Sequence, residues 1–308
     1  MKNKRTDLLK RVKKNWQLYV FLLLPVAYII IFAYIPMSGL LMAFKDYSAR
    51  KGIFGSDWVG FTYFTKFLKA YQFKRILKNT LVLSGYSILA GFPFPIIFAL
   101  MINCIRDGKL KKTIQTIVTL PHFISVTVMV GILFQLLNST DGLFSYVWEA
   151  LMGGKAPNIL GSATAFPHIY VWSGVWQSFG WGSIIYTAAL AGVDPTFHEA
   201  AQLDGATRFQ RVLHVDLPTI LPTIVIMLIL RMGSVMNLGF EKIYLMQNSL
   251  NLTASQVIST YVYEVGLGSG TSNFSYATAI GMFNSVINLI LITTVNKISS
   301  KVGETSLW

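Results

Sequence analysis

The sequence predicts an all-α, polytopic membrane protein with six transmembrane helices, and three observations carry that prediction. The 308 residues are 53% hydrophobic and 13% charged, about half the charged share of a soluble protein. Six apolar stretches reach the ~20 residues that a spanning helix needs. The 26 Lys and Arg against 13 Asp and Glu leave a net charge of +13, and the basic residues cluster beside the apolar runs. On a soluble chain that excess would point to nucleic acid. Beside membrane spans it reads as a topology signal and an affinity for anionic lipid.

Residues 1–17 form a basic tail, with seven Lys and Arg between Lys2 and Lys14. The apolar run that follows, 18–44, is longer than the ~7–15 residues of a signal peptide, so it reads as a retained first helix. The second span is 80–105, where Pro93 and Pro95 in "GFPFP" are expected to bend the helix. The third, 113–137, contains Pro121, and the fourth is 166–191. The fifth, 217–240, contains Pro222, and the sixth is 276–295. Such breakers are tolerated in a membrane where neighbours satisfy the freed backbone groups. The membrane domain is thus expected over 18–297, with a C-terminal tail at 298–308.

Charge sets the expected orientation. Fifteen Lys and Arg fall in the N-terminal tail, in "RDGKLKK", at Arg208 and Arg211, and at Lys297 and Lys301. Two opposite loops hold only Lys155 and Lys242. Basic short loops face the cytoplasm, giving both termini inside. The loop 45–78 runs against this pattern, with eight Lys and Arg on the expected outer side. Its Phe61, Phe64, Phe67 and Leu68 recur at helical spacing, which predicts an amphipathic helix on the outer membrane face.

Several chemistries find no support. Cys104 is the only cysteine, so no intrachain disulfide can form. His122, His168, His198 and His214 lack metal-ligand spacing and read as packing residues. Ser269, in "GLGSGTS", has no positioned base. No GxxxxGK[ST] segment is present, so ATP cannot be held by a P-loop of this chain. An ion-coupled secondary transporter is the competing reading. It would need coupling carboxylates near the midplane and two similar halves; neither is legible here.

The segment 199–218, "EAAQLDGATRFQRVLHVDLP", lies between the fourth and fifth spans. Asp194 is a favoured N-cap and Pro195 suits the first helical position, which predicts a short helix over 195–204. Gly205 should end it. Phe209, Val212 and Leu213 share one face of a second turn, and Pro218 is expected to open the fifth span. Two short helices with a glycine corner can be a plain interfacial linker or a docking element. Ala200 and Ala201 would let a partner approach closely.

That segment resembles the EAA loop of ABC importer permeases: Glu199, Ala200 and Ala201, then Gly205, then Leu217 and Pro218, all in register. Val215 stands where isoleucine is common. "WVGFTYFTKF", Asn79-Thr80 and "TLPHFISVTVMVGILFQLL" are similar to the maltose-type carbohydrate permeases. "MNLGFEKIYLMQN", "ISTYVYEVGL" and "GETSLW" are similar to their LplB-like branch, which handles oligosaccharides or polysaccharide fragments.

The resemblance implies a type I importer (MetI-like) permease fold in a bacterial cell membrane. It implies coupling to a cytoplasmic ATPase through Glu199, Ala200, Ala201, Asp204, Gly205, Leu217 and Pro218. Glu199 would pair with a basic group of the ATPase groove, and Gly205 would make the corner. The implied partners are a second homologous permease, two copies of the ATPase that carries ATP and Mg, and an extracellular solute-binding protein. This chain itself would be no enzyme and hold no cofactor. The fourth and fifth spans supply substrate contacts in maltose-type permeases. That points to Gln177, Ser178, Trp181, Arg231, Ser234 and Asn237, which are polar or aromatic at bilayer depth. Ser178 and Ser234 also fit helix packing, and Trp181 also fits an interfacial belt. Arg231 needs a backbone carbonyl, a water cavity or an anionic sugar to offset a cost of about 2.5–3.5 kcal/mol.

Overall fold

A computed structural model describes residues 13–268, 270 and 272–302. Most of the basic tail, Ser269 and the closing "GETSLW" lie outside the described residues. The chain divides into two compact units, Met1–Leu68 with Val265–Met282, and Lys69–Glu264 with Phe283–Trp308.

In the first unit, α1 runs over Trp16–Phe44. It passes through a π-turn at Ile30–Tyr34 and tightens to 3₁₀ geometry over Ile35–Phe44. Almost all of its apolar side chains are exposed, as expected of a helix that faces lipid or another chain. A two-residue ladder follows, β1 (Lys45–Asp46) antiparallel to β2 (Asp57–Trp58), with α2 (Gly52–Gly55) between them. The amphipathic helix expected in this loop is α3, Thr62–Lys69. It buries Phe67, while Phe61 and Leu68 stay exposed. Phe44 holds the corner by stacking on Trp58 at 5.6 Å and meeting Phe64 at 5.4 Å.

The second unit is a helical bundle. The second predicted span is α4 (Phe73–Gly91) followed by α5 (Pro93–Asn103), interrupted at Phe92. Phe92 keeps helical dihedrals, so the pair counts as one 31-residue helix. The third predicted span is not straight. α6 (Lys109–Thr119) ends in a 3₁₀ turn at Leu120–Phe123, and α7 (Val126–Leu136) leaves at 96°. Pro121 cannot continue the backbone ladder, and Ser125 caps α7 by accepting from Val128 N at 3.3 Å. α8 (Leu143–Met152) then leads to α9, Ala165–Leu190.

α9 is the hub, packing on α4, α5, α6 and on α12 (Leu217–Gly233). It supplies Phe166, Tyr170, Val171 and Val175 to one buried cluster and Tyr186 and Leu190 to another. Its packing is close: a Cβ on Gly180 would lie 2.1 Å from the Val118 carbonyl oxygen of α6. Small residues at such crossings let backbones approach where lipid removes the hydrophobic drive between helices. α10 (Pro195–Leu203) and α11 (Arg208–Arg211) precede α12. α13 (Phe240–Met246), α14 (Leu252–Ser255) and α15 (Ile258–Tyr263) follow it, and α16 is Phe274–Val302.

Four helices are long and apolar enough to cross a membrane, or five with the bent α6–α7 pair, among the described residues. α9 has the length, at 26 residues. Its Gln, Ser, Gly and His residues lower its apolarity, which a helix surrounded by other helices can accommodate.

Candidate functional sites: an exposed helical loop and an interior cavity

The loop before α12 is built from local signals. Asp194 accepts from Thr196 N at 2.9 Å and so caps α10. That backbone hydrogen bond, with help from the Thr196 hydroxyl, holds the Asp194 carboxyl below its ordinary value. α10 ends at Gly205, whose φ of +77° lies in the left-handed region. The corner is closed by Ala206 N donating to Ala201 O at 2.9 Å and Gly205 N to Gln202 O at 3.1 Å. Thr207 and Gln210 form a reciprocal capping box that starts α11. The expected second short helix is not separate. Through a π-turn at Val212–Asp216 it joins α12, so Arg208–Gly233 is one 26-residue helix and Pro218 lies inside it. Pro218 follows this π-turn, where Leu217 N donates five residues back to Val212 O.

Glu199, Ala200, Asp204 and Gly205 are exposed, and Ala201 is half-buried. Leu203 is 90% exposed, and Phe197 and Phe209 are also open. Three large apolar side chains are thus exposed on this polar loop. Behind the loop, buried Asp216 accepts from Asn103 Nδ2 at 3.3 Å and lies 3.2 Å from His198 Nε2. That ties α10 to the end of α5.

The second site is a cavity of about 310 Å³ between α4, α9 and the chain after α12. Gln177, Ser178, Arg231, Ser234 and Asn237 all line it. Gln177 Nε2 donates to Ile124 O at 2.8 Å, which satisfies the carbonyl freed where α6–α7 bends. Ser178 Oγ donates to Gly174 O at 2.7 Å. Trp181 does not join them. It stacks on His122 at 4.6 Å and 7°, with Phe123 edge-on, away from the cavity.

Arg231, Ser234 and Asn237, all expected within the fifth span at 217–240, do not share one helix either. α12 ends at Gly233, and 234–239 is non-helical before α13. Asn237 reaches the cavity from this unwound stretch, where its Oδ1 accepts from Asn284 at 3.1 Å and Asn288 at 3.2 Å. Asn288 Oδ1 in turn accepts from Met236 N at 3.0 Å. Irregular backbone at membrane depth is stable where it lines a cavity and is bonded by neighbours.

Arg231 occupies the last turn of α12. The helix C-terminus favours a cation there by about 0.3–1 kcal/mol, less than the about 2.5–3.5 kcal/mol cost of inserting it. The open cavity in front of it supplies the difference. Sequence reasoning missed Lys242, read as an outer-loop charge. It is 7% exposed and lines the same cavity. Its Nζ donates to Tyr170 O at 3.0 Å and lies 5.0 Å over the Tyr170 ring. Ser84 and Ser87, one turn apart on α4, also line the cavity, and their hydroxyls are buried without a partner.

The chain as a whole is similar to known proteins. The chain is 43% identical over 297 residues to Protein LplB of Bacillus subtilis (strain 168), covering 96% of this chain and 92% of that protein. It is 39% identical over 307 residues to the polygalacturonan/rhamnogalacturonan transport system permease protein YteP of the same organism, covering 100% and 95%. A chain in the crystal structure of a bacterial alginate ABC transporter, in complex with an alginate pentasaccharide-bound periplasmic protein, superposes with a TM-score of 0.88. That chain is 38% identical, with 97% of this chain and 99% of that one covered. Residues 91–303 match the model of the binding-protein-dependent transport system inner membrane component. With the exposed helical loop, the cavity and these matches together, the chain belongs to the family of binding-protein-dependent transport system inner membrane components.

Proposed function

We propose that the chain is one permease half of an ATP-driven importer for oligosaccharides or polysaccharide fragments, coupled to its ATPase through residues 192–218. The observation that carries the reading is the exposed α10 with its glycine corner, continuous through α11 and α12 with the wall of the cavity. Glu199, Ala200, Ala201, Asp204 and Gly205 form the docking surface, and Leu217 and Pro218 link it to the span. Gln177, Ser178, Arg231, Ser234 and Asn237 contribute to the sugar path. Trp181 supports the packing of α9.

The chain crosses the membrane six times, with α9 and the bent α6–α7 pair among the spans. Both termini face the cytoplasm, as the distribution of basic residues supports. A second homologous permease completes the path. Two copies of a cytoplasmic ATPase hold ATP and Mg, and a sugar-loaded extracellular binding protein delivers the cargo. The names of the permease and alginate-transporter relatives support both the cargo class and a periplasmic-type partner. ATP closure of the ATPases and a loaded binding protein then bias one two-state equilibrium of the spans.

Reconstitution into liposomes tests this. Accumulation of labelled oligosaccharide should require ATP inside and a loaded binding protein outside. It should persist when proton and sodium gradients are collapsed. Uptake driven by an ion gradient without ATP would favour the secondary-transporter reading instead.

A further inference from the structure

We infer that the interior cavity selects an anionic sugar unit, with Arg231 and Lys242 as its two cations. The inference rests on the importer reading and deepens it by naming the charge of the cargo. Two positive groups line one cavity of about 310 Å³, and none of its lining residues is an Asp or Glu. Among the described residues, neither cation takes part in an ion pair with a carboxylate. Glu241 is adjacent to Lys242 in sequence, but its carboxylate accepts from Thr127 Oγ1 at 3.0 Å and does not line the cavity.

Two like charges on one cavity repel each other, and the buried Lys242 loses solvation as well. Such an arrangement is stable when something negative visits it. Lys242 directs one of its three donors to Tyr170 O. The facing backbone leaves room for both cations. The Arg231 guanidinium lies 3.9 Å from where a Cβ on Gly91 would be, and Lys242 Nζ lies 3.3 Å from that of Gly174.

The remaining lining fits a sugar and not a bare ion. Ser84 Oγ and Ser87 Oγ are buried without a partner, and Ser84 is only 2% exposed. Unpaired buried hydroxyls are costly, and ring hydroxyls would satisfy them. A sugar carboxylate can accept charge-assisted bonds from Arg231 and Lys242 while its hydroxyls meet the two serines. The cavity is at the lower end of the ~300–1,000 Å³ typical of small-molecule sites. It accommodates a short stretch of a glycan at a time.

The test uses the assembled transporter in nanodiscs, without binding protein, titrated separately with glucuronate, glucose and inorganic phosphate. Binding is read from intrinsic tryptophan fluorescence. Glucuronate should bind about tenfold tighter than glucose or phosphate. The preference should shrink to about twofold in Arg231→Met and in Lys242→Met, and Arg231→Lys should keep most of it. Equal binding of glucuronate and glucose, no glucuronate binding, phosphate as tight as glucuronate, or a preference surviving in both Met variants overturns the proposal. If Lys242→Met fails to assemble, Arg231→Met decides, because Arg231 is exposed while Lys242 is buried. ATPase retention and ATP hydrolysis are measured on the same wild-type sample. Their absence counts against the importer reading; their presence without an anion preference counts against this inference alone.

Discussion

Gly205 offers the most direct test of the docking loop. Its φ is +77°, and a Cβ added there meets nothing within 4 Å. Gly205→Ala therefore introduces backbone strain and no clash. A left-handed L-residue costs about 1–2 kcal/mol. Since 1.4 kcal/mol is tenfold in an equilibrium constant, Ala should weaken ATPase binding by roughly 5- to 30-fold if the corner must be held to dock. Asn tolerates the left-handed region, so Gly205→Asn should weaken binding by only about threefold. Titration of purified ATPase onto the permease in nanodiscs measures both. Amide exchange gives an independent readout, because Ala206 N–H bonds to Ala201 O across the corner and should exchange faster in the Ala variant. Equal losses for Ala and Asn, or no loss for Ala, would refute the conformational reasoning.

Three further outcomes follow from the same geometry. Gly180→Ala places a Cβ 2.1 Å from Val118 O, so α9 and α6 must separate. The expected loss is about 1–3 kcal/mol, visible as a lower unfolding temperature in detergent, and unchanged unfolding would contradict the close crossing. Trp181→Leu removes the stack on His122 but touches no cavity wall. It should lower thermal stability while leaving the sugar concentration for half-maximal ATPase stimulation within about twofold, equivalent to less than ~0.5 kcal/mol. Asp194 caps α10 with a lowered pKa. A depressed carboxyl stabilises the folded form above its ordinary value of 3.8 and loses that contribution as pH falls through the lowered value. Thr196 amide protection should drop over that acidic window in the wild type and stay flat in Asp194→Asn.

The sequence disclosed local features well and long-range ones poorly. α10 and its Gly205 corner were legible because N-cap, proline and glycine act within a few residues. α9 was legible as an apolar segment, although its role as hub depends on neighbours that hydropathy does not see. The 96° bend of the third span was hidden because an apolar window records composition and not backbone direction. Only Pro121 and Ser125 signalled it. The end of α12 at Gly233 was hidden for the same reason, so the fifth span was extended to 240, into an unwound stretch. Asn237 and Gly239 were the available clues. Lys242 was missed because a charge beyond the last apolar residue is ordinarily solvated. Its burial comes from α13 packing back against α7 and Lys242 itself bonding to Tyr170 of α9.

The continuity of α11 with α12 has a mechanical consequence. Arg208–Gly233 is a single helix of 26 residues, roughly 39 Å at 1.5 Å per residue. One end begins three residues after the Gly205 corner, and the other carries Arg231 at the cavity wall. Between them there is a π-turn but no loop, so displacement at the Arg208 end is carried to the wall as by a stiff lever. The first compliant joint is 234–239, pinned by Asn284 and Asn288 of α16. A stroke applied at the loop is therefore spent reshaping the cavity and not bending the shaft.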